Sequence, residues 1–307
     1  MIRRSLAVFL TLIAVLAAGW LALRRSDISY DALEATYASP ESRYLTLPTG
    51  LKIHYRDEGP RAAPVILLLH GYSSSLETWD RWTPTLEAEY RVVRMDLPGH
   101  GLSRAWPEAD ISIEAYVSAV DQFATGLGLG PMVLAGSSMG GNIAWRYAAL
   151  RPERIDALVL VAASGWPTER EETWQSWLVD QPFARRLLKE IDLSTFIEQG
   201  LEAAFFGEEL PTDAMVERYV AYSRAPGHRE SLLALRANRE QRMDATADAM
   251  AGISAPVLIL QGAEDQFVAP IGGERFAAAL PDAELRLYRG VGHLPHMEIP
   301  MRSLNDV

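Results

Sequence analysis

Ser138 sits in Gly136-Ser137-Ser138-Met139-Gly140, a G-x-S-x-G pentapeptide. A serine can attack a carbonyl carbon once a neighbouring base takes its proton. Glycines two residues to either side leave room for a sharp turn that lifts the hydroxyl clear of the chain. In isolation the pentapeptide is weak, since chance places it in about a tenth of chains this long. Its context is stronger. The apolar run Met132–Ala135 precedes it, and a helical pattern from Asn142 to Leu150 follows. That arrangement puts the serine at a helix N-terminus, where developing negative charge is favoured. The competing reading is a glycine-rich turn whose serine only caps the helix.

Three further segments supply partners. His293 follows Gly290-Val291-Gly292, and the glycines let the backbone turn and project an imidazole, the side chain suited to general-base work. Gln261-Gly262-Ala263-Glu264-Asp265 follows the run Val257–Leu260. A carboxylate there can hold a histidine in one tautomer. Asp265, the shorter and deeper of the two acids, is preferred to Glu264, against the bland reading of a solvated loop acid. His70-Gly71-Tyr72 follows Val65–Leu69, and a loop at that place can aim the Tyr72 backbone N–H at a substrate oxygen. Met139, after the serine, supplies the second N–H of an oxyanion hole. His70 is read as a structural histidine tying loops together. His296 is read as exposed or as a neighbour of His293. Without HExxH or carboxylate spacing, the two histidines do not make a metal site. Asp96 and His100, in Asp96-Leu97-Pro98-Gly99-His100-Gly101, are read as structural.

These residues require elements to hold them. Val65–Leu69, Tyr90–Met95, Met132–Ala135, Ala157–Val161 and Val257–Leu260 are continuous apolar runs of strand length, with Ala283–Tyr288 a further strand. Such runs read as strands covered on both faces. Helical patterns such as Ile111–Thr125 lie between them, which implies a parallel sheet of βαβ units. From 165 to 252 the rhythm changes to helices without a clear strand, rich in Trp166, Trp174, Trp177, Phe183, Phe196, Phe205, Phe206, Tyr219 and Tyr222. This stretch is expected to be a helical cap, with Trp166, Phe205 and Phe206 as candidate substrate contacts. Ordinary packing inside the cap is the competing role for each. The expected organisation is an N-terminal hydrophobic segment (1–25), a linker (26–42), a core (43–164 and 253–307) and the cap (165–252).

The chain has 307 residues, 49% of them apolar and 22% charged, enough for a sizeable core. The net charge is −11, and the first 25 residues hold four arginines and no acid, which leaves −15 on the rest. An acidic body argues against a nucleic-acid partner. The absence of cysteine excludes disulfides, thiolate metal sites and a cysteine nucleophile. Gly126–Gly130 precedes a strand instead of following one and lacks GxGxxG spacing, so nucleotide binding is rejected. Residues 6–23 are eighteen residues interrupted only by Thr11 and Gly19, and helical they span roughly 27 Å. The expectation is a membrane anchor with the domain exported, ahead of a cleaved signal peptide or a buried helix. Oligomeric state is left open.

The order Ser138, Asp265, His293 resembles the α/β-hydrolase superfamily. The likeness is carried by LLLHGYSSS (67–75), MDLPGHGLS (95–103), LAGSSMGGNIAWRYAALRPERIDALVLVA (134–162), PVLILQGAEDQFVAP (256–270) and GHLPHMEIP (292–300). More narrowly, the chain resembles bacterial lipases and esterases of the Moraxella lipase 3 type and monoacylglycerol lipases with an N-terminal membrane segment. The resemblance implies an α/β fold with a mostly parallel sheet flanked by helices, and hydrolysis of short- to medium-chain acyl esters without a cofactor. Serine at the elbow disfavours the aspartate-dependent dehalogenases and epoxide hydrolases. It leaves carbon–carbon hydrolases of ring-cleavage products, which share SMGG, as the main alternative, with perhydrolases and acyltransferases behind. A non-catalytic binding protein on the same fold is the remote one.

Overall fold

The computed structural model describes residues 2–106, 111–167, 179–207 and 209–307; the side chains of residues 2–9, 12 and 13 are not among those described. Eight strands form one sheet in the order β1-β2-β4-β3-β5-β6-β7-β8. They are β1 (Ser42–Thr46), β2 (Lys52–Glu58), β3 (Val65–Leu69), β4 (Arg91–Met95), β5 (Met132–Ser137), β6 (Ile155–Val161), β7 (Val257–Gly262) and β8 (Ala283–Tyr288). From β4 to β8 every pairing is parallel, while β1–β2 and β2–β4 are antiparallel. The architecture is the mostly parallel, helix-flanked sheet that the resemblance implies.

The two-fold period of a strand explains the continuous apolar runs. Leu67 and Leu69 of β3 point into one core cluster, while Ile66 and Leu68 point into the other. Leu134 and Ala135 of β5, and Leu158 and Val159 of β6, divide between the clusters in the same way. Each central strand is therefore buried on both faces and has no polar side.

Helix α1 (Ile2–Leu23) opens the chain, followed by α2 (Tyr30–Tyr37). Among the described residues no helix is long and apolar enough to cross a membrane. The membrane-spanning role expected of 6–23 therefore has no support in the described structure. Nor is 26–42 a bare linker. Ser29 caps α2 through its side chain, and Leu33 buries against Leu102, Tyr222 and Ala225. Ile28, Tyr30 and Tyr37 pack on the same cluster, apolar groups that the polar composition of the segment concealed.

Helices α3 (Ile113–Gly126) and α4 (Met139–Leu150) flank the sheet. Between β6 and β7 come α5 (Pro182–Leu188), α6 (Ser194–Ala204), α7 (Asp213–Ser223) and α8 (His228–Ala237), and, among the described residues, no strand of the sheet. Leu201, Phe205, Leu210, Met215 and Tyr219 give these helices a small core of their own, closed by Met297. Trp174 and Trp177 lie outside the described residues. Helix α9 (Ile271–Ala279) joins β7 to β8.

Candidate active site

Ser138 stands between β5 and α4 with φ 53° and ψ −113°. A non-glycine residue at positive φ costs free energy, and its surroundings must hold it there. The Ser138 N–H donates to Val161 O at 2.9 Å, and its carbonyl accepts from Asn142 N and Ser164 N at 3.1 Å each. Close packing makes the turn possible: a Cβ at Gly136 would overlap the Gly140 carbonyl, and one at Gly140 would overlap the Leu69 and His70 carbonyls.

His293 and Asp265 meet across two loops. His293 Nδ1 lies 2.8 Å from Asp265 Oδ2, with both side chains buried. The remaining capacity of that carboxylate is filled. Oδ2 also accepts from Gln261 Nε2 at 2.9 Å, and Oδ1 accepts from Phe267 N at 2.8 Å and Val268 N at 2.9 Å. A carboxylate so held cannot rotate away from the imidazole. The Phe267 ring packs edge-on against His293, centroids 5.3 Å apart.

The loop that carries His293 has three ties. Glu264 accepts from Gly290 N at 2.8 Å and Val291 N at 3.1 Å. Glu298 accepts from Gly292 N at 2.8 Å, and its other oxygen accepts from Phe206 N at 2.9 Å in the cap. His293 N itself donates to Ala204 O at 2.8 Å. Sequence reasoning assigned no role to Gln261 or Glu298. The available signal was the spacing G-H-x-x-x-x-E-x-P, in which Glu298 is the acid.

The opposite loop is held by buried polar groups. His70 Nδ1 donates to Gly71 O at 2.7 Å, and its Nε2 accepts from Leu97 N at 2.9 Å. Burial keeps His70 neutral, well below its ordinary pKa, which this pairing requires. Asp96, fully buried, accepts from Leu76 N and Leu102 N at 2.8 Å each and meets His54 Nδ1 at 2.7 Å. The Tyr72 hydroxyl donates to Leu232 O at 3.1 Å, which ties the loop to α8. The Met139 amide opens α4 and, like any first-turn amide, has no acceptor within its helix. His296 differs from expectation on exposure. It is fully buried, bonded to Thr78 Oγ1 at 2.9 Å and stacked on Trp79, and burial pushes its pKa down to about 3.

Ser138, His293, Tyr72 and Met139 line one cavity of about 560 Å³. Its walls are mostly apolar, with Phe196, Leu201, Tyr219, Leu232, Leu233 and Leu294 prominent. The three cap aromatics named from the sequence are not part of it. Trp166 packs edge-on against Phe276 in the main core. Phe205 is buried in the cap core, and Phe206 is 56% exposed. Which aromatic of a cap reaches the cavity is set by how its helices dock, and composition carries no record of that. Among the described residues no cluster of three or more His, Asp or Glu is placed to hold a metal ion.

Comparison with known proteins gives the same outline. A family model described as alpha/beta hydrolase fold matches residues 64–300. The 2-hydroxy-6-oxononadienedioate/2-hydroxy-6-oxononatrienedioate hydrolase of Klebsiella pneumoniae is 31% identical over 277 residues, which is 84% of this chain and 91% of that protein. A crystal structure described as a membrane phospholipase A, a bacterial virulence factor, is 25% identical with a TM-score of 0.74, covering 99% of this chain and 96% of the other. A thermophilic esterase from Thermogutta terrifontis is 25% identical with a TM-score of 0.71, covering 86% and 95%.

Proposed function

This chain belongs to the α/β-hydrolase fold family, and from that premise we propose that it is a serine hydrolase acting on carboxylic esters of short- to medium-chain acids or monoacylglycerols. The observation that carries the reading is the His293–Asp265 pair, opening with Ser138 and its positive-φ turn on one apolar cavity.

In this mechanism His293 takes the proton from Ser138 as the hydroxyl oxygen attacks the acyl carbonyl carbon. Asp265 keeps the proton of His293 on Nδ1, so that Nε2 is free to act as base. The Tyr72 and Met139 amides donate to the oxyanion of the tetrahedral intermediate. His293 then protonates the departing alkoxide, and water, activated by the same imidazole, hydrolyses the acyl-enzyme. The proton taken from Ser138 leaves with the alcohol, the hydrolytic water supplies the one that restores the serine hydroxyl, and no redox step occurs.

A second reading has its own support: the Klebsiella relative is named as a hydrolase of an oxo-dienedioate. In that reading the same residues would cleave a carbon–carbon bond beside a ketone. One experiment separates the two. The protein and its Ser138→Ala variant are assayed on p-nitrophenyl esters from two to sixteen carbons and on a 2-hydroxy-6-oxo-dienoate. Ester turnover that peaks at some chain length and vanishes in the variant sustains the ester reading. Turnover of the diketone acid alone replaces it with the second.

A further inference from the structure

The cavity beside Ser138 is mostly apolar, with a few hydroxyl groups and one cationic wall. Helix α8 and the turn after it contribute Arg236, Arg239 and Arg242 to the lining. Arg242 is only 8% exposed. One of its terminal N–H groups donates to Leu235 O, while its Nε–H is buried with no acceptor. Among the described residues no carboxylate pairs with Arg236 or Arg242. The charged or titratable groups acting on Arg242 include Tyr116, Tyr72, Arg239 and His100. Desolvation pulls the Arg242 guanidinium below its usual pKa against the pull of the Tyr116 and Tyr72 hydroxyls, with no carboxylate among the described residues acting on it.

That placement is costly and firmly built. A chain with 40 acidic residues against 29 basic ones has many carboxylates that could pair with a cation. A buried charge without a partner is a standing penalty that a bound anion would relieve. The wall is also joined to the reacting centre. Asn142 Nδ2 donates to Arg242 O at 2.9 Å, and Asn142 N donates to Ser138 O at 3.1 Å. The Tyr72 hydroxyl grips the same helix α8 at Leu232 O.

We propose that Arg242, with Arg236 beside it, forms an anion subsite within the catalytic cavity, so that preferred substrates carry a carboxylate or phosphate group away from the carbonyl that Ser138 attacks. This rests on the serine-hydrolase reading above. The guanidinium fork matches either oxyanion in a bidentate manner, and the apolar wall of Phe196, Leu201 and Leu233 takes the hydrocarbon between. The substrate class is a single-chain amphiphile with one anionic end.

Calorimetric titration of octanoate, octyl phosphate and octanol into the intact protein tests the subsite apart from catalysis. Both anions, or one of them, bind at least tenfold tighter than octanol. That ratio falls about 10- to 100-fold in Arg242→Gln and in Arg236→Gln, and Arg242→Lys restores part of it. Tighter binding of octanoate assigns carboxylate substrates, and tighter binding of octyl phosphate assigns phosphorylated ones. Octanol binding as well as the anions, or a ratio that neither glutamine variant changes, overturns the proposal. If thermal melting shows Arg242→Gln unfolded, Arg236→Gln carries the test. In parallel, the turnover of p-nitrophenyl butyrate and p-nitrophenyl hemiglutarate is compared between wild type and Ser138→Ala. Anion binding without ester turnover would end the ester reading and leave the subsite standing.

Discussion

Two acids adjacent in sequence do different work. Asp265 fixes an imidazole, and Glu264 fixes the backbone of the loop that carries it. Asp265→Asn, which presents an amide where His293 needs an acceptor, is expected to lower kcat by about 10⁴. Glu264→Gln keeps one acceptor for the Gly290 and Val291 amides and should cost about tenfold. Steady-state kinetics of both variants on one p-nitrophenyl ester decides, and equal effects would reverse the assignment of the acid. At this scale the sequence was most informative. Ser138, Asp265 and His293 each sit in a motif whose neighbours impose a local backbone shape. Gln261 and Glu298 were not legible as functional. Gln261 braces the Asp265 loop from the end of β7, and Glu298 joins the nearby Gly292 to the distant Phe206; both roles depend on how the loops fold back, which residue type alone does not disclose.

Among the elements, the turn from β5 to α4 is the most constrained. Gly140→Ala would force a methyl against the Leu69 and His70 carbonyls, and backbone on both sides cannot retreat. It should cost at least 1–3 kcal/mol, in the range of overpacked cores, and disturb the Ser138 turn as well. The expected result is a fall in kcat larger than the loss of melting temperature accounts for. The cap helices allow a paired test. Phe205→Ala, in the cap core, should destabilise by about 3–5 kcal/mol, whereas Phe206→Ala should stay within about 0.5 kcal/mol. Thermal or denaturant unfolding reads both. The central strands were legible because burial on both faces writes itself as an unbroken apolar run. The antiparallel end of the sheet, edge strand β1 (SRYLT) and its neighbour β2 (KIHYRDE), was missed because its partly exposed positions carry charge and break the apolar run.

The whole molecule carries a pH dependence in its buried histidines. Burial pushes His100 down to about 4 and both His228 and His296 to about 3, so the folded chain holds them neutral. The unfolded chain protonates them near 6.5. Below that pH the unfolded state binds more protons, and stability that is complete above about 6.5 is lost as pH falls toward 4. Each histidine contributes a slope of about 1.4 kcal/mol per pH unit across that window. Melting temperatures at pH 8, 7, 6 and 5 should therefore be flat at first and then fall steeply; a flat profile to pH 5 would contradict the burial argument. The start of the chain also bears on the cap. Arg24 pairs with Glu190 and Arg25 with Asp192 at 3.1 Å each, and Arg25 N donates to Glu190 O at 2.8 Å. Deleting residues 1–25 should lower the melting temperature by a few degrees, since exposed pairs of this kind contribute about 0.2–1 kcal/mol each. Glu298 reaches further than any of these contacts. One of its oxygens holds the histidine loop, and the other holds the cap at Phe206. One carboxylate is thus a keystone common to both: take it away, and the seat of the imidazole and the edge of the cap lose a bond together.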